Sequence, residues 1–249
     1  MIKVFIKNKH MQTIPLYLED SYLKSVDAKV LNVSFVEDGK YKIILDRTIF
    51  YPMGGGQPTD QGYFSNGSWS SDVYQVQIKD GEIYHYIETQ TPPKIGSLLY
   101  GEIDWERRYK NMRIHSGGHI IDFALYLLDI SPTILKPLKA DHGKKPFIVY
   151  EGEINKEFLV DLENKSNELI KKNLTLSWEF VTLDELKKDA IYLQPNLPTN
   201  KPLRKLTLEG VASVADGGTM VKKTSEIGVL KIVDVIQEEN LIYIYYKVE

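Results

Sequence analysis

An α+β architecture in two parts is expected from three features of this 249-residue chain. Its first hundred residues read as short strands separated by tight turns. The apolar period switches to that of a helix at Trp105. Beyond it, helical and strand-like stretches mix without strict alternation, which separates α+β from a parallel α/β sheet.

Each element has its own warrant. Residues 30–37 and 40–47 are β-rich runs joined by Asp38-Gly39, and residues 73–78 and 82–87 flank Asp80-Gly81. Asp-Gly between two such runs is a hairpin signal. Residues 97–104 add a further strand. Strands at this spacing suggest a small barrel or sandwich, here taken as barrel-like. Between the hairpins lies a glycine-rich loop, Tyr51-Pro52-Met53-Gly54-Gly55-Gly56-Gln57-Pro58-Thr59-Asp60-Gln61-Gly62.

Trp105, Tyr109, Met112, Ile120, Ile121, Ala124 and Leu128 then form a helical stripe, which Ser131-Pro132 ends. A second helix is expected over 155–172, capped by Asn155, with Phe158, Leu159, Leu162, Leu169 and Ile170 inward. A strand over 176–181, a short helix over 183–190, and strands over 206–213, 229–236 and 241–248 complete the chain. The expected domains are 1–104 and 105–249.

Composition narrows the function. With 43% hydrophobic and 26% charged residues, disorder and collagen-like structure are excluded. No stretch approaches the run of about 18 apolar residues of a membrane span, so no membrane association is expected. Residues 1–9 carry charges where a secretory signal needs an unbroken apolar core, and the expected compartment is the cytoplasm. The absence of cysteine removes disulfides, thiolate nucleophiles and thiolate metal ligands. Net charge is −3, yet residues 106–145 carry a net +4 and residues 201–223 a net +3. These basic stretches are either one phosphate-facing surface or ordinary solvated faces.

Three stretches carry candidate chemistry. His115 and His119 are four residues apart, which places both imidazoles on one helix face, suited to sharing a metal or to separate hydrogen bonds. Gly117 and Gly118 between them each cost a helix about 1 kcal/mol relative to alanine. They imply close approach, by a ligand or by another element. Gly54-Gly55-Gly56-Gln57 exposes backbone amides beside a side-chain amide, but no Lys-Ser/Thr follows, so it is not a Walker loop. Asp216-Gly217-Gly218-Thr219-Met220-Val221 is a small-residue turn with a carboxylate at its mouth.

Together these stretches resemble a family. Residues 47–62, Arg113-Ile114-His115-Ser116-Gly117-Gly118-His119, and Asp216-Gly217-Gly218-Thr219-Met220-Val221 followed by Thr224-Ser225-Glu226-Ile227-Gly228 are similar in order and spacing to the editing region of alanyl-tRNA synthetases and to free-standing alanyl-tRNA editing proteins. The resemblance implies an N-terminal barrel followed by a two-layer α/β editing domain, of the second-additional-domain type shared by threonyl- and alanyl-tRNA synthetases. It implies trans hydrolysis of mischarged tRNA(Ala), removing serine or glycine, without ATP. An alanine pocket admits glycine and excludes one hydroxyl poorly, so a second site is needed.

By family position, His115, His119, Asp216 and Gln57 are the catalytic candidates. Thr48, Gly55, Gly56, Gly217, Gly218 and Thr219 would contact the substrate, with Thr48 and Gln57 reading the serine hydroxyl. The partner would be tRNA, through its acceptor stem and 3′-adenosine. Arg108, Arg113, Lys222 and Lys223 would track its phosphates, with Arg107, Lys110, Lys144, Lys145, Lys201, Arg204 and Lys205 as further basic candidates. The family holds zinc with HxxxH and CxxxH. Here Asp216 and Met220 stand in the second pair, so His115, His119 and Asp216 are the implied ligands and weak zinc binding is expected, with Met220 packing instead. Three rivals stay open: a tRNA-binding protein without turnover, a non-haem iron oxygenase using the two histidines and Asp216, and a scaffold protein without substrate.

Overall fold

A computed structural model describes residues 13–67, 69–153, 157–194 and 197–249. The cap assigned to Asn155 and the charged residues 1–9 lie outside the described residues.

The chain forms two compact units, one running to Gly54 and continuing over Pro58–Lys110, the other comprising Gly55–Gln57 and Asn111–Glu249. The first contains β1 (Ile14–Pro15), β2 (Ser25–Glu37), β3 (Lys40–Leu45), β4 (Arg47–Thr48), β5 (Gly62–Asn66), β6 (Trp69–Lys79), β7 (Glu82–Glu88) and β8 (Leu98–Ile103). Six of these close a barrel in the order β2-β3-β7-β6-β5-β8. Both expected hairpins form, β2–β3 and β6–β7. Asp80 and Gly81 both take positive φ, the conformation that selects Asp-Gly in a two-residue turn. The interior is filled by alternating residues of the strands, including Val30, Ile43, Leu45, Phe64, Val76, Ile83, Ile87 and Leu99. Closure leaves no unpaired strand edge in the barrel.

The helix α1 (Trp105–Leu127) begins in the first unit and continues into the second. An amphipathic stripe was the expectation. Instead, residues 114–125 are all buried, the pattern of a helix surrounded on every side. The second unit adds β9 (Lys136–Asp141), β10 (Phe147–Glu151), α2 (Phe158–Lys171), β11 (Leu176–Val181), α3 (Leu183–Leu186), β12 (Leu203–Leu208), β13 (Ala212–Ala215), β14 (Leu230–Glu238) and β15 (Leu241–Val248). They form a four-stranded sheet ordered β14-β15-β10-β9 and a three-stranded sheet ordered β11-β12-β13. The single strand expected over 206–213 is two antiparallel strands, because the turn at Glu209-Gly210 reverses the chain, with Gly210 at φ +71°. The helix expected over 183–190 is one turn long. Strands β1, β5, β9 and β10 were not anticipated. None of the described helices is long and apolar enough to cross a membrane.

Candidate functional site

The second unit holds a cavity of about 390 Å³, into which α1, the Gly55-Gly56 segment, β9 and the loop after β13 all contribute. α1 supplies His115 and His119, one turn apart, with ring centroids 5.1 Å from each other. The loop following β13 supplies Asp216. A nitrogen of each histidine and a carboxylate oxygen of Asp216 lie within 4.8 Å of one another. His115 Nε2 is 3.3 Å and His119 Nε2 is 3.5 Å from the same atom, Asp216 Oδ1.

Hydrogen bonds fix which atoms face inward. Gln57 Oε1 accepts from Thr219 N at 3.1 Å, and Gln57 Nε2 donates to Thr219 Oγ1 at 2.8 Å. The oxygen 2.7 Å from His115 Nδ1 is therefore an acceptor, and Nδ1 carries the hydrogen. In the neutral ring, Nε2 then presents a lone pair to Asp216. Asp216 Oδ2 is occupied by Arg204 Nη1 at 3.1 Å and by the N–H of Gly218 at 3.0 Å, which leaves Oδ1 turned to the histidines. On the far side of His119, Nδ1 stands 3.3 Å from Asp122 Oδ2, while Asp122 Oδ1 accepts from the Tyr150 hydroxyl at 2.6 Å.

Electrostatics follow from this arrangement. Burial lowers the pKa of His115, and Asp216 only partly offsets it. Burial acts on His119 in the same sense, but the carboxylates of Asp122 and Asp216 outweigh it and raise its pKa to about 9. For Asp216 burial works upward, and the two histidines overcome it, holding the carboxyl well below the usual range. Asp216 is thus an ionised acceptor rather than a proton donor.

The residues fit a metal ion. Both ring nitrogens of His119 are buried and face only carboxylate oxygens, Asp122 Oδ2 at 3.3 Å and Asp216 Oδ1 at 3.5 Å, neither in the alignment of a good hydrogen bond. The lone pairs of His115 Nε2 and Asp216 Oδ1 face each other, which is repulsive unless a proton or a cation lies between them. Two imidazoles and one carboxylate are a donor set that zinc accepts, with outer carboxylate and amide partners orienting the rings. Met220 is no part of it: it is fully buried, with Sδ 3.3 Å from the Ser116 hydroxyl.

The other sequence candidates divide. Gly55, Gly56 and Gly217 line the cavity. At Gly218 a Cβ would run into the His115 ring, and Thr219 is spent on Gln57, so both position the site from behind. Gln57 is fully buried and holds His115 in place. Thr48 is fully buried in the barrel unit, 2.7 Å from His85 Nε2. Arg108 requires correction as a phosphate contact. It is buried without exposure, and its guanidinium is committed to Asp60 and to the carbonyls of Ser21 and Ile49. Arg113 is spent on the carbonyls of Glu226, Ile227 and Glu249. Lys222 and Lys223 are exposed.

Sequence reasoning missed Asp122, His142, Tyr192 and Gln194, all on the cavity wall. Asp122 had a signal, since position i+3 from His119 lies on the same helix face. His142 had none beyond its presence in Asp141-His142-Gly143. The two helix glycines are explained by close approach. A Cβ at Gly117 would come within 2.9 Å of Val248 Cγ1, and one at Gly118 within 2.6 Å of His142 Cε1.

Residues 6–107 match the family model for tRNA synthetases class II (A). The alanyl-tRNA editing protein AlaX-M of Saccharolobus solfataricus is 33% identical over 228 residues, covering 90% of this chain and 93% of that protein. AlaX-L of Pyrococcus horikoshii is 34% identical over 221 residues, 87% of this chain and 53% of its own length. An alanine–tRNA ligase of Pyrobaculum aerophilum is 32% identical over 237 residues, 89% of this chain and 25% of the ligase. The chain therefore spans nearly all of the first relative, about half of the second and a quarter of the third. At this identity and coverage, the chain belongs to the AlaX family of alanyl-tRNA editing proteins.

Proposed function

We propose that this protein hydrolyses the ester between a wrong amino acid, serine or glycine, and the 3′-terminal adenosine of tRNA(Ala). The observation that carries the reading is the convergence of His115, His119 and Asp216 on one cavity of a chain related to editing proteins along most of its length. The cavity volume lies within the roughly 300–1,000 Å³ typical of small-ligand pockets, and Gly217 on its wall has open space where a side chain would stand.

An aminoacyl ester is already activated, so the site has to position a water, hold the acyl group and favour the developing negative charge. Asp216 stays ionised and offers Oδ1 as an acceptor at the cavity floor. His115, locked by Gln57 with Nε2 inward, offers a second. Asp122 Oδ2, 3.3 Å from His119 Nδ1, orients the second ring, which becomes an acceptor once it releases its proton. Zinc bound to His115, His119 and Asp216 would supply Lewis acidity at the point where these acceptors meet. The exposed pair Lys222 and Lys223 is the support for contact with tRNA phosphates, a sequence-independent source of affinity. A second reading, a tRNA-binding protein without turnover, draws on Met220, which leaves the metal with one donor fewer than its family.

The test is deacylation without ATP. The purified protein is expected to hydrolyse Ser-tRNA(Ala) faster than Ala-tRNA(Ala). Equal rates on both, or none above the spontaneous rate, would favour the binding protein.

A further inference from the structure

We propose that His142 is a substrate-binding residue of this cavity, an imidazole fixed as a hydrogen-bond acceptor for the N–H or O–H donors of an aminoacyl group; the proposal rests on the editing reading above. His142 follows β9 directly, is 4% exposed and lies on the cavity wall.

Its tautomer is set by a relay. The Tyr246 hydroxyl donates to the Ile114 carbonyl at 3.0 Å, and a carbonyl only accepts. With that hydrogen used, the Tyr246 oxygen must accept from His142 Nδ1, 2.6 Å away. Nδ1 therefore carries the ring hydrogen and Nε2 carries the lone pair. Since Nδ1 is committed to Tyr246, Nε2 is the ring's remaining polar atom.

The ring is also held rigidly. It stacks on His115 with centroids 4.3 Å apart and planes inclined by 24°. Its backbone N–H donates to the Gly56 carbonyl at 2.8 Å, tying it to the glycine segment of the wall. α1 accepts a glycine at position 118, at a cost of about 1 kcal/mol in a helix, and any Cβ there would lie 2.6 Å from His142 Cε1. A hydroxyl relay, a stack and a missing Cβ converge on one ring that lies outside the His115–His119–Asp216 set. Gln194 on the same wall repeats the pattern. Its Nε2 donates to the Ala215 carbonyl at 2.8 Å, and its Oε1 is buried with no partner. Two fixed acceptors beside the Asp122 and Asp216 carboxylates suit a donor-bearing ligand, an α-ammonium or a side-chain hydroxyl, rather than an anion.

The probes are three non-hydrolysable amides, 3′-seryl-, 3′-glycyl- and 3′-alanyl-amino-3′-deoxyadenosine, titrated calorimetrically into wild type and into His142→Phe, which keeps the stack. Loss of a hydrogen bond to a charged or polar donor is expected to weaken binding by about tenfold. A loss shared by all three probes assigns the α-ammonium as donor, and a loss confined to the seryl probe assigns the hydroxyl. Histidine ¹⁵N spectra of the wild type give a readout that does not depend on the variant folding. Nδ1 of His142 should be the protonated nitrogen, and its Nε2 resonance should move when the seryl probe, which carries both donors, binds. Unchanged affinity in folded His142→Phe, or an unmoved Nε2 resonance on binding, would overturn the proposal alone. Failure of all three probes to bind the wild type would overturn the aminoacyl-adenosine reading together with it.

Discussion

Thr48→Val separates a substrate contact from a folding contact. The family resemblance implies that Thr48 reads the serine hydroxyl, which would make the substitution change discrimination and leave stability alone. In the structure Thr48 Oγ1 accepts from Phe50 N at 3.0 Å and lies 2.7 Å from His85 Nε2. His85 Nδ1 faces the Ile43 carbonyl at 3.4 Å, so Nδ1 is the protonated nitrogen and the Thr48 hydroxyl donates to Nε2. Its one hydrogen is committed inside the barrel unit, and Thr48 and His85 are both fully buried. Valine matches threonine in shape, so no cavity opens. What is lost is the partner of two buried polar groups, at about 1–3 kcal/mol each, giving an expected destabilisation of about 3 kcal/mol. Urea denaturation of the variant measures it. The double variant Thr48→Val/His85→Phe should lose less than the sum of the singles, because the stranded Nε2 is gone. A single-variant loss under about 0.5 kcal/mol would refute this assignment of the hydroxyl.

The remaining predictions concern pH, metal and tRNA. Burial lowers the pKa of His85 to about 4 from an ordinary 6.5, so the unfolded chain binds the proton more readily. The associated stability is present above pH 6.5 and is lost as pH falls toward 4, by about 3 kcal/mol; denaturation midpoints across that range should flatten in His85→Phe. His119, raised to about 9 without metal, must release its proton to become a ligand. Zinc affinity measured by competition with a chelating dye should therefore rise with pH, up to about tenfold per unit between pH 6.5 and 8, and a pH-independent affinity would contradict the ligand assignment. Asp216→Cys combined with Met220→His should bind zinc more tightly than the wild type. Replacing Lys222 and Lys223 by alanine should weaken tRNA binding and reduce its log–log salt slope by roughly 1 per lost phosphate contact; an unchanged slope would return both lysines to plain surface.

Much of the architecture was legible because its signals are local. Asp80-Gly81 demands two positive φ values, and the His115–His119 spacing puts two rings on one face whatever surrounds the helix. Asp216 stood out in its small-residue turn, but only the resemblance joined it to the histidines, since its distance in sequence from His115 gives no geometric hint. Residues 206–213 misled because β-rich residues continue on both sides of Glu209-Gly210, so a reversal looked like a continuous strand. Arg108 looked like surface charge because its neutralising partner, Asp60, lies 48 residues earlier in the glycine-rich loop. His142 was illegible for a related reason. β9 is mostly exposed, and only its pairing with β10 brings the following residue against α1.

The most direct test is the rate of Ser-tRNA(Ala) deacylation by the wild type beside His115→Ala and Asp216→Ala, each verified as folded by circular dichroism and thermal melting. If the cavity floor carries the reaction, the wild type exceeds the spontaneous rate while both variants fall by about 10²-fold or more, the scale of removing a group that stabilises the transition state. Wild-type rates in either folded variant would contradict the assignment of hydrolysis to this cavity.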